Sequence, residues 1–133
     1  MRRFLLAVLV ALAAIGIVGV AALASGRPDA AGRQTVPAPI DNVDVLIRES
    51  NPPQVSVRIT AGLPSGCAAR DSHSVSRAGD TITITVLNSM PAGDPICTMI
   101  YGTYELNVDL GSDFVVGTTY TIRVNDEVTT VKT

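Results

Sequence analysis

The residues around the single histidine are the first whose types could support catalysis. Asp71, Ser72 and His73 place an acid, a hydroxyl and the chain's only imidazole side by side, and a nucleophilic triad combines these groups. They lie in a segment that we interpret as a strand, where neighbouring side chains point to opposite faces of a sheet. Such side chains cannot converge, so we expect a protein that is not an enzyme.

The carboxylates and glycines give no pattern that is typical of a metal or nucleotide site. Asp109 and Asp113 flank a Gly-Ser pair, and Asp126 and Glu127 lie in a turn. This spacing matches no calcium-binding loop of the EF-hand type, and one histidine is too few for a typical zinc site. No glycine-rich loop leads from a strand into a helix. We therefore expect no metal and no cofactor, with a weak calcium site at Asp109 and Asp113 as the less favoured alternative.

Cys67 and Cys97 are the only cysteines. The N-terminal apolar run predicts export to an oxidising compartment, so we expect them to form a disulfide. If the strands near them were neighbours in one sheet, the two Cα atoms would lie about 9.6 Å apart, which exceeds the ~7 Å limit for a disulfide. We therefore expect the bond either across a sandwich or between loop residues just before each strand.

The stretch 88–103 is a proline- and glycine-rich loop with apolar residues, including Met99 and Ile100. Cys97 would make it rigid, and rigid exposed loops often carry binding residues. The alternative is a plain connection whose apolar side chains fill the core. The candidate contact residues for a partner in the cell envelope are Met90, Pro91, Asp94, Pro95 and Tyr101.

Residues 4–24 are apolar without interruption and follow Arg2 and Arg3. As a helix they would be about 31 Å long, which matches the hydrocarbon core of a bilayer. The arginines would stay in the cytoplasm, so the rest of the chain would face outward. We interpret 1–24 as a signal peptide cleaved after Ala24 or as an uncleaved membrane anchor; the protein would then be secreted or membrane-bound.

Composition excludes several classes of function. The chain has 133 residues, of which 47% are hydrophobic and 17% charged, with a net charge of −2. Without Arg2 and Arg3, 8 basic and 12 acidic residues remain, a net charge of −4. This balance predicts no binding to nucleic acid and no affinity for anionic lipid headgroups. The length allows one compact exported domain.

Proline and glycine in 25–40 favour a linker, with an ordered edge of the fold near Val36 as the alternative. In 41–133 the hydrophobic residues alternate with polar ones in short segments separated by turn residues, which is typical of strands. We predict an all-β domain, a single antiparallel immunoglobulin-like β-sandwich of about seven strands, preceded by the N-terminal apolar helix. A closed barrel is the alternative.

Six segments that cover nearly all of 42–131 support a resemblance: Val45–Ser50, Pro53–Val57, Gly62–Cys67, Thr81–Val86, Pro95–Thr98 and Thr119–Asn125. In their order and their two cysteines they resemble a group of uncharacterised bacterial exported proteins and lipoproteins with a small β-sandwich. Many of those carry an acylated cysteine that is missing here. The resemblance implies an envelope location and a sandwich, with no assigned activity.

These observations together predict an exported module of the cell envelope whose role is binding or structural support. The alternative function is an inhibitor or accessory subunit that inserts loop 89–96 into the cleft of a hydrolase. A proline-stiffened loop suits that role because it loses little entropy on docking.

Overall fold

The computed structural model describes residues 32–93 and 95–133, which form eight strands in two sheets. The strands are β1 (Arg33–Pro37), β2 (Ile40–Arg48), β3 (Gln54–Leu63), β4 (Ala69–Ala78), β5 (Thr81–Pro91), β6 (Gly102–Gly111), β7 (Thr119–Val124) and β8 (Glu127–Lys132). Within these two ranges we find no helix of the length and apolar character needed to cross a bilayer. The predicted N-terminal helix lies outside the described residues.

The larger sheet is built around β5. Ser89, near the end of β5, pairs with β4 on one side and with β1 on the other, while Thr81, at its beginning, pairs with β4 and β7. β1 and β7 therefore follow each other along the same edge of β5, and β8 lies beyond β7. The smaller sheet has the order β2-β3-β6 and is antiparallel throughout.

The core lies between the two sheets and is formed by the alternating hydrophobic residues of the central strands. Phe114, from the connection before β7, adds a ring that meets Tyr120 edge to face with 4.9 Å between centroids. The buried hydrophobic residues of the strands are Val55, Val57, Ile59 and Ala61 of β3, Ile82, Ile84 and Val86 of β5, Leu106 and Val108 of β6, and Tyr120, Ile122 and Val124 of β7.

Asn125 connects β1 and β7 to β5, the strand with which both of them pair. Its backbone has φ 52° in the turn after β7, a left-handed conformation that asparagine tolerates better than most residues. Its Oδ1 accepts from the Val86 N–H at 2.9 Å, and its Nδ2 donates to the carbonyls of Ala38 at 2.8 Å and Val86 at 3.0 Å. The side chain thus bridges the gap between the two strands on the edge of β5.

A buried polar residue connects the sheets near the end of β5. Asn88 is fully buried, and its Nδ2 donates to the Gly62 carbonyl at 2.8 Å, while the Tyr104 hydroxyl donates to its Oδ1 at 2.7 Å. Burial raises the pKa of the Tyr104 phenol above its usual value, and the nearby Arg70 partly opposes this shift. The two hydrogen bonds, to Gly62 and from Tyr104, satisfy the side-chain amide of Asn88, as burial of a polar group requires.

The structure confirms an all-β sandwich and differs from the sequence analysis in two ways. First, β1 lies inside the segment 25–40 that we interpreted as a linker; Val36 pairs with Asn88, so this part belongs to the larger sheet. Second, β5 and β7 run parallel, which corrects the prediction of a wholly antiparallel sandwich. All ten residues of β4 are exposed, and this strand lies at an edge of the larger sheet, where it pairs with β5 alone.

A disulfide-anchored apolar loop as the candidate functional site

Cys67 and Cys97 form a disulfide, with their Cα atoms 5.6 Å apart. Cys67 lies in the turn before β4 and Cys97 in the connection before β6. The second of the two expected arrangements is therefore present, because the bond joins loop residues that precede β4 and β6. It fixes the segment 95–101, which contains no strand, to the end of the sandwich.

A backbone contact next to the disulfide holds the same segment. The Gly66 N–H donates to the Thr98 carbonyl at 2.9 Å. A Cβ atom at Gly66 would overlap the Thr98 hydroxyl, so this close approach depends on glycine. Two adjacent residues of the loop, Cys97 and Thr98, are thus tied to two adjacent residues of the turn before β4.

Tyr101 holds the other end of the segment. Its hydroxyl donates to the Asp41 carboxylate, with distances of 2.8 and 3.0 Å to the two oxygens. This hydrogen bond is the main reason that the pKa of Tyr101 lies above its usual value, and desolvation and the Asp41 charge act in the same direction. The ring lies over Gly62, where an added Cβ would overlap the phenol.

Three apolar side chains of this segment project into solvent, and we name them the apolar tip: Ile96, Met99 and Ile100. Their exposures are 101%, 86% and 71%. Single exposed apolar residues are common on protein surfaces, but such a group in one short loop is typical of an interaction site. The loop is therefore immobilised by the disulfide, by Thr98 and by Tyr101, while the apolar tip stays uncovered.

Residues 57–133 match the family model described as the ORF11 β-sandwich domain. The chain belongs to the ORF11 β-sandwich domain family. The match includes both cysteines and the apolar tip, and it begins within β3. The membership agrees with the predicted β-sandwich and carries no statement about export or lipid attachment.

A curated relative of this ORF11 β-sandwich domain comes from Herpetosiphon aurantiacus, where it is named "Uncharacterized 10.2 kDa protein in HgiCIIM 5'region". It is 36% identical over 87 residues, which cover 65% of this chain and 90% of the relative. No solved structure matches the chain. These comparisons assign no role to the domain, so we infer its role from the residues on its surface.

The structure distributes the predicted contact residues over three settings. Met90 and Pro91 are half-buried at the end of β5, Pro95 is exposed in the loop, and Tyr101, which is 51% exposed, anchors the loop through Asp41. Asp94 lies outside the described residues. The candidate contact residues omitted the apolar tip, although the sequence analysis noted Met99 and Ile100 as apolar residues of the stretch 88–103; Ile96 alone was not noted.

The Asp-Ser-His sequence lies on β4 of this ORF11 β-sandwich domain. The Ser72 hydroxyl donates to Asp71 at 2.8 Å, while Ser72 pairs in register with Leu87 and His73 with Val86. Consecutive register positions place the Ser72 and His73 side chains on opposite faces of the sheet. This geometry gives the hydroxyl and the imidazole no shared site.

The two candidate calcium ligands contact groups of the chain itself. Asp109 accepts from the Gly111 N–H at 2.9 Å, and Asp113 lies 3.8 Å from the Arg77 guanidinium. Over the described ranges 32–93 and 95–133, no group of three or more histidine, cysteine or acidic residues is arranged to hold a metal ion. The apolar tip is therefore the feature whose function remains to be explained.

Proposed function

We propose that the protein is an exported, non-enzymatic module of the cell envelope that binds through its apolar tip. The observation that carries the proposal is the combination of exposure and rigidity: Ile96, Met99 and Ile100 are at least 71% exposed on a loop whose backbone is fixed. A rigid apolar surface binds with little loss of conformational entropy.

Burial of the apolar tip would contribute favourably to binding. Complete burial of one Ile or Met side chain contributes about 1.5–3 kcal/mol. The three side chains together would give roughly 4–9 kcal/mol before the cost of association is subtracted. Because the loop is already ordered, the ordering part of that cost is small.

Export forms the second part of the proposal. The apolar run 4–24 with its two preceding arginines supports a signal or anchor, and a disulfide is typical of proteins outside the cytoplasm. Either cleavage after Ala24 or retention of the run gives an exported domain. We also assign the sandwich to the immunoglobulin-like type, which its two packed sheets of short strands support, although the parallel pair β5–β7 departs from an antiparallel pattern.

A photo-crosslinking side chain at position 99 tests the binding proposal in cells that produce the whole chain. We expect covalent adducts with an envelope component at position 99. The matched control is position 116, because Val116 is also exposed (66%) and lies in a different connection, 112–118. Absence of adducts at both positions, or equal adducts at both, would contradict the proposal. Intact-mass measurement of the same protein determines whether residues 1–24 remain.

A further inference from the structure

The polypeptide enters the folded domain beside the disulfide. The Gly32 carbonyl accepts from the Ala92 N–H at 2.6 Å. The Arg33 guanidinium then donates to the Cys67 carbonyl and to the Ser89 carbonyl, both at 3.0 Å. The first described residues are thus held against the turn that carries Cys67.

The apolar tip lies at this same end of the sandwich. Cys67 is bonded to Cys97, which directly follows Ile96 and precedes Met99 by two residues. The opposite end is marked by Asp113, which contacts Arg77 near the end of β4. β4 begins beside the disulfide and has 10 residues, so it separates the two ends by about 33 Å.

The length of chain before the domain limits how far this end can lie from a membrane. Only residues 25–31 separate the apolar run 4–24 from Gly32. Seven extended residues span at most about 25 Å. If residues 4–24 remain in the bilayer, the end of the domain that carries the apolar tip is therefore held close to the outward-facing membrane surface.

The composition of the loop suits contact with lipid. Residues 95–104 contain no charged side chain, so the segment can leave water without desolvating an ion. Tyr101, whose hydroxyl is held by Asp41 at the base of the loop, is of a residue type enriched at membrane–water interfaces. The net charge of −4 after residue 24 favours apolar contact with zwitterionic lipid over attraction to anionic headgroups.

We propose that the apolar tip inserts into the outward-facing leaflet of the membrane in which residues 4–24 are anchored. This inference rests on the proposed function, for which it names the binding partner as a lipid surface, and on retention of the apolar run. The anchor and the tip then act as two attachments that fix the orientation of the sandwich. A single weak apolar contact suffices, because the anchor keeps the tip at a high effective concentration near the bilayer.

Fluorescence quenching by brominated lipid tests the inference on the full chain. The protein has no tryptophan, so Met99→Trp introduces a single reporter at the tip. Val116→Trp is the matched control, with 66% exposure at the replaced residue. Each variant is prepared with residues 1–24 intact, verified by mass, and reconstituted into phosphatidylcholine vesicles that float in a density gradient. Brominated acyl chains should reduce the emission of the position-99 reporter about two-fold and leave that of the position-116 reporter unchanged.

The possible outcomes distinguish failure of this inference from failure of the proposed function on which it rests. Chain that does not float with the vesicles would refute both the anchor and the inserted tip. Floating protein whose position-99 emission is unquenched would overturn the inference alone and leave the tip for a protein partner. Equal quenching at both positions would also overturn it. Ile100→Trp serves as a second tip reporter if Met99→Trp does not keep the far-ultraviolet spectrum of the wild type.

Discussion

Replacement of Asn125 tests how β1 and β7 are held on one edge of β5. Each of its three side-chain hydrogen bonds contributes about 0.5–1.5 kcal/mol net, so we expect Asn125→Gly to lower the free energy of unfolding by about 3 kcal/mol. Glycine adopts φ 52° without strain. Asn125→Ala loses the same bonds and also forces a Cβ into the left-handed region, which costs about 1 kcal/mol more.

Urea unfolding of the oxidised protein, followed by far-ultraviolet circular dichroism, measures these losses. With a slope of about 1 kcal/mol per molar urea, a loss of about 3 kcal/mol lowers the midpoint by roughly 3 M. Asp126→Ala is the control, because this exposed neighbour lies in the same turn. A change below about 0.5 kcal/mol in both Asn125 variants would refute the bridging role. Equal losses in the two variants would refute the backbone argument alone.

Three further measurements test the site and its support. Reduction of the disulfide should lower the free energy of unfolding by about 3.7 kcal/mol, from the chain entropy of a loop of roughly 31 residues; an unchanged urea midpoint would contradict this. Tyr104→Phe should cost about 1–3 kcal/mol, because it leaves the buried Asn88 Oδ1 without its donor; stability equal to that of the wild type would show that the bond is dispensable. The Tyr101 phenol should titrate above its usual pKa by tyrosine NMR, so the contact with Asp41 persists below pH 10 and is lost as the pH rises through the elevated pKa. Asp41→Asn should return the midpoint toward the usual value, and a midpoint that does not move would contradict the assigned cause.

The strands of the core could be predicted from the sequence because their pattern reflects burial on one face. The alternating hydrophobic residues of β3, β5 and β7 point into the sandwich as expected. β4 was harder to interpret, since both of its faces are exposed and no pattern of burial is imposed on it. An ordered edge near Val36, where β1 lies, was only the alternative prediction, because Pro37 and the nearby prolines indicated a linker; the short strand is fixed by its pairing with the end of β5.

Long-range pairing explains the remaining differences. The parallel pairing of β5 with β7 joins segments that are far apart in the sequence, and the Asn125 side chain completes the edge of β5 that β1 and β7 share. A local pattern of residue types carries no information about such a contact. The disulfide, by contrast, was predictable because only two cysteines are present. A rough strand-spacing argument left a bond across the sandwich or between loop residues, and the structure has the second.

The positions of two glycines link the folding of the loop to its proposed role. Gly62 near the end of β3 and Gly66 in the turn before β4 both provide surfaces on which the loop rests, the first beneath Tyr101 and the second beside Thr98. These contacts, with the disulfide, restrict the backbone at an entropic cost of about 1–2 kcal/mol per residue. None of these contacts covers the apolar tip, and its side chains are not buried in the core. Hydrophobic burial of the tip therefore does not compensate for this entropic cost. A connection between β5 and β6 that served only to join strands would need neither the fixed backbone nor the exposed isoleucines and methionine. Their combination is physically reasonable where the tip meets an apolar phase, as in the lipid contact that we propose for it.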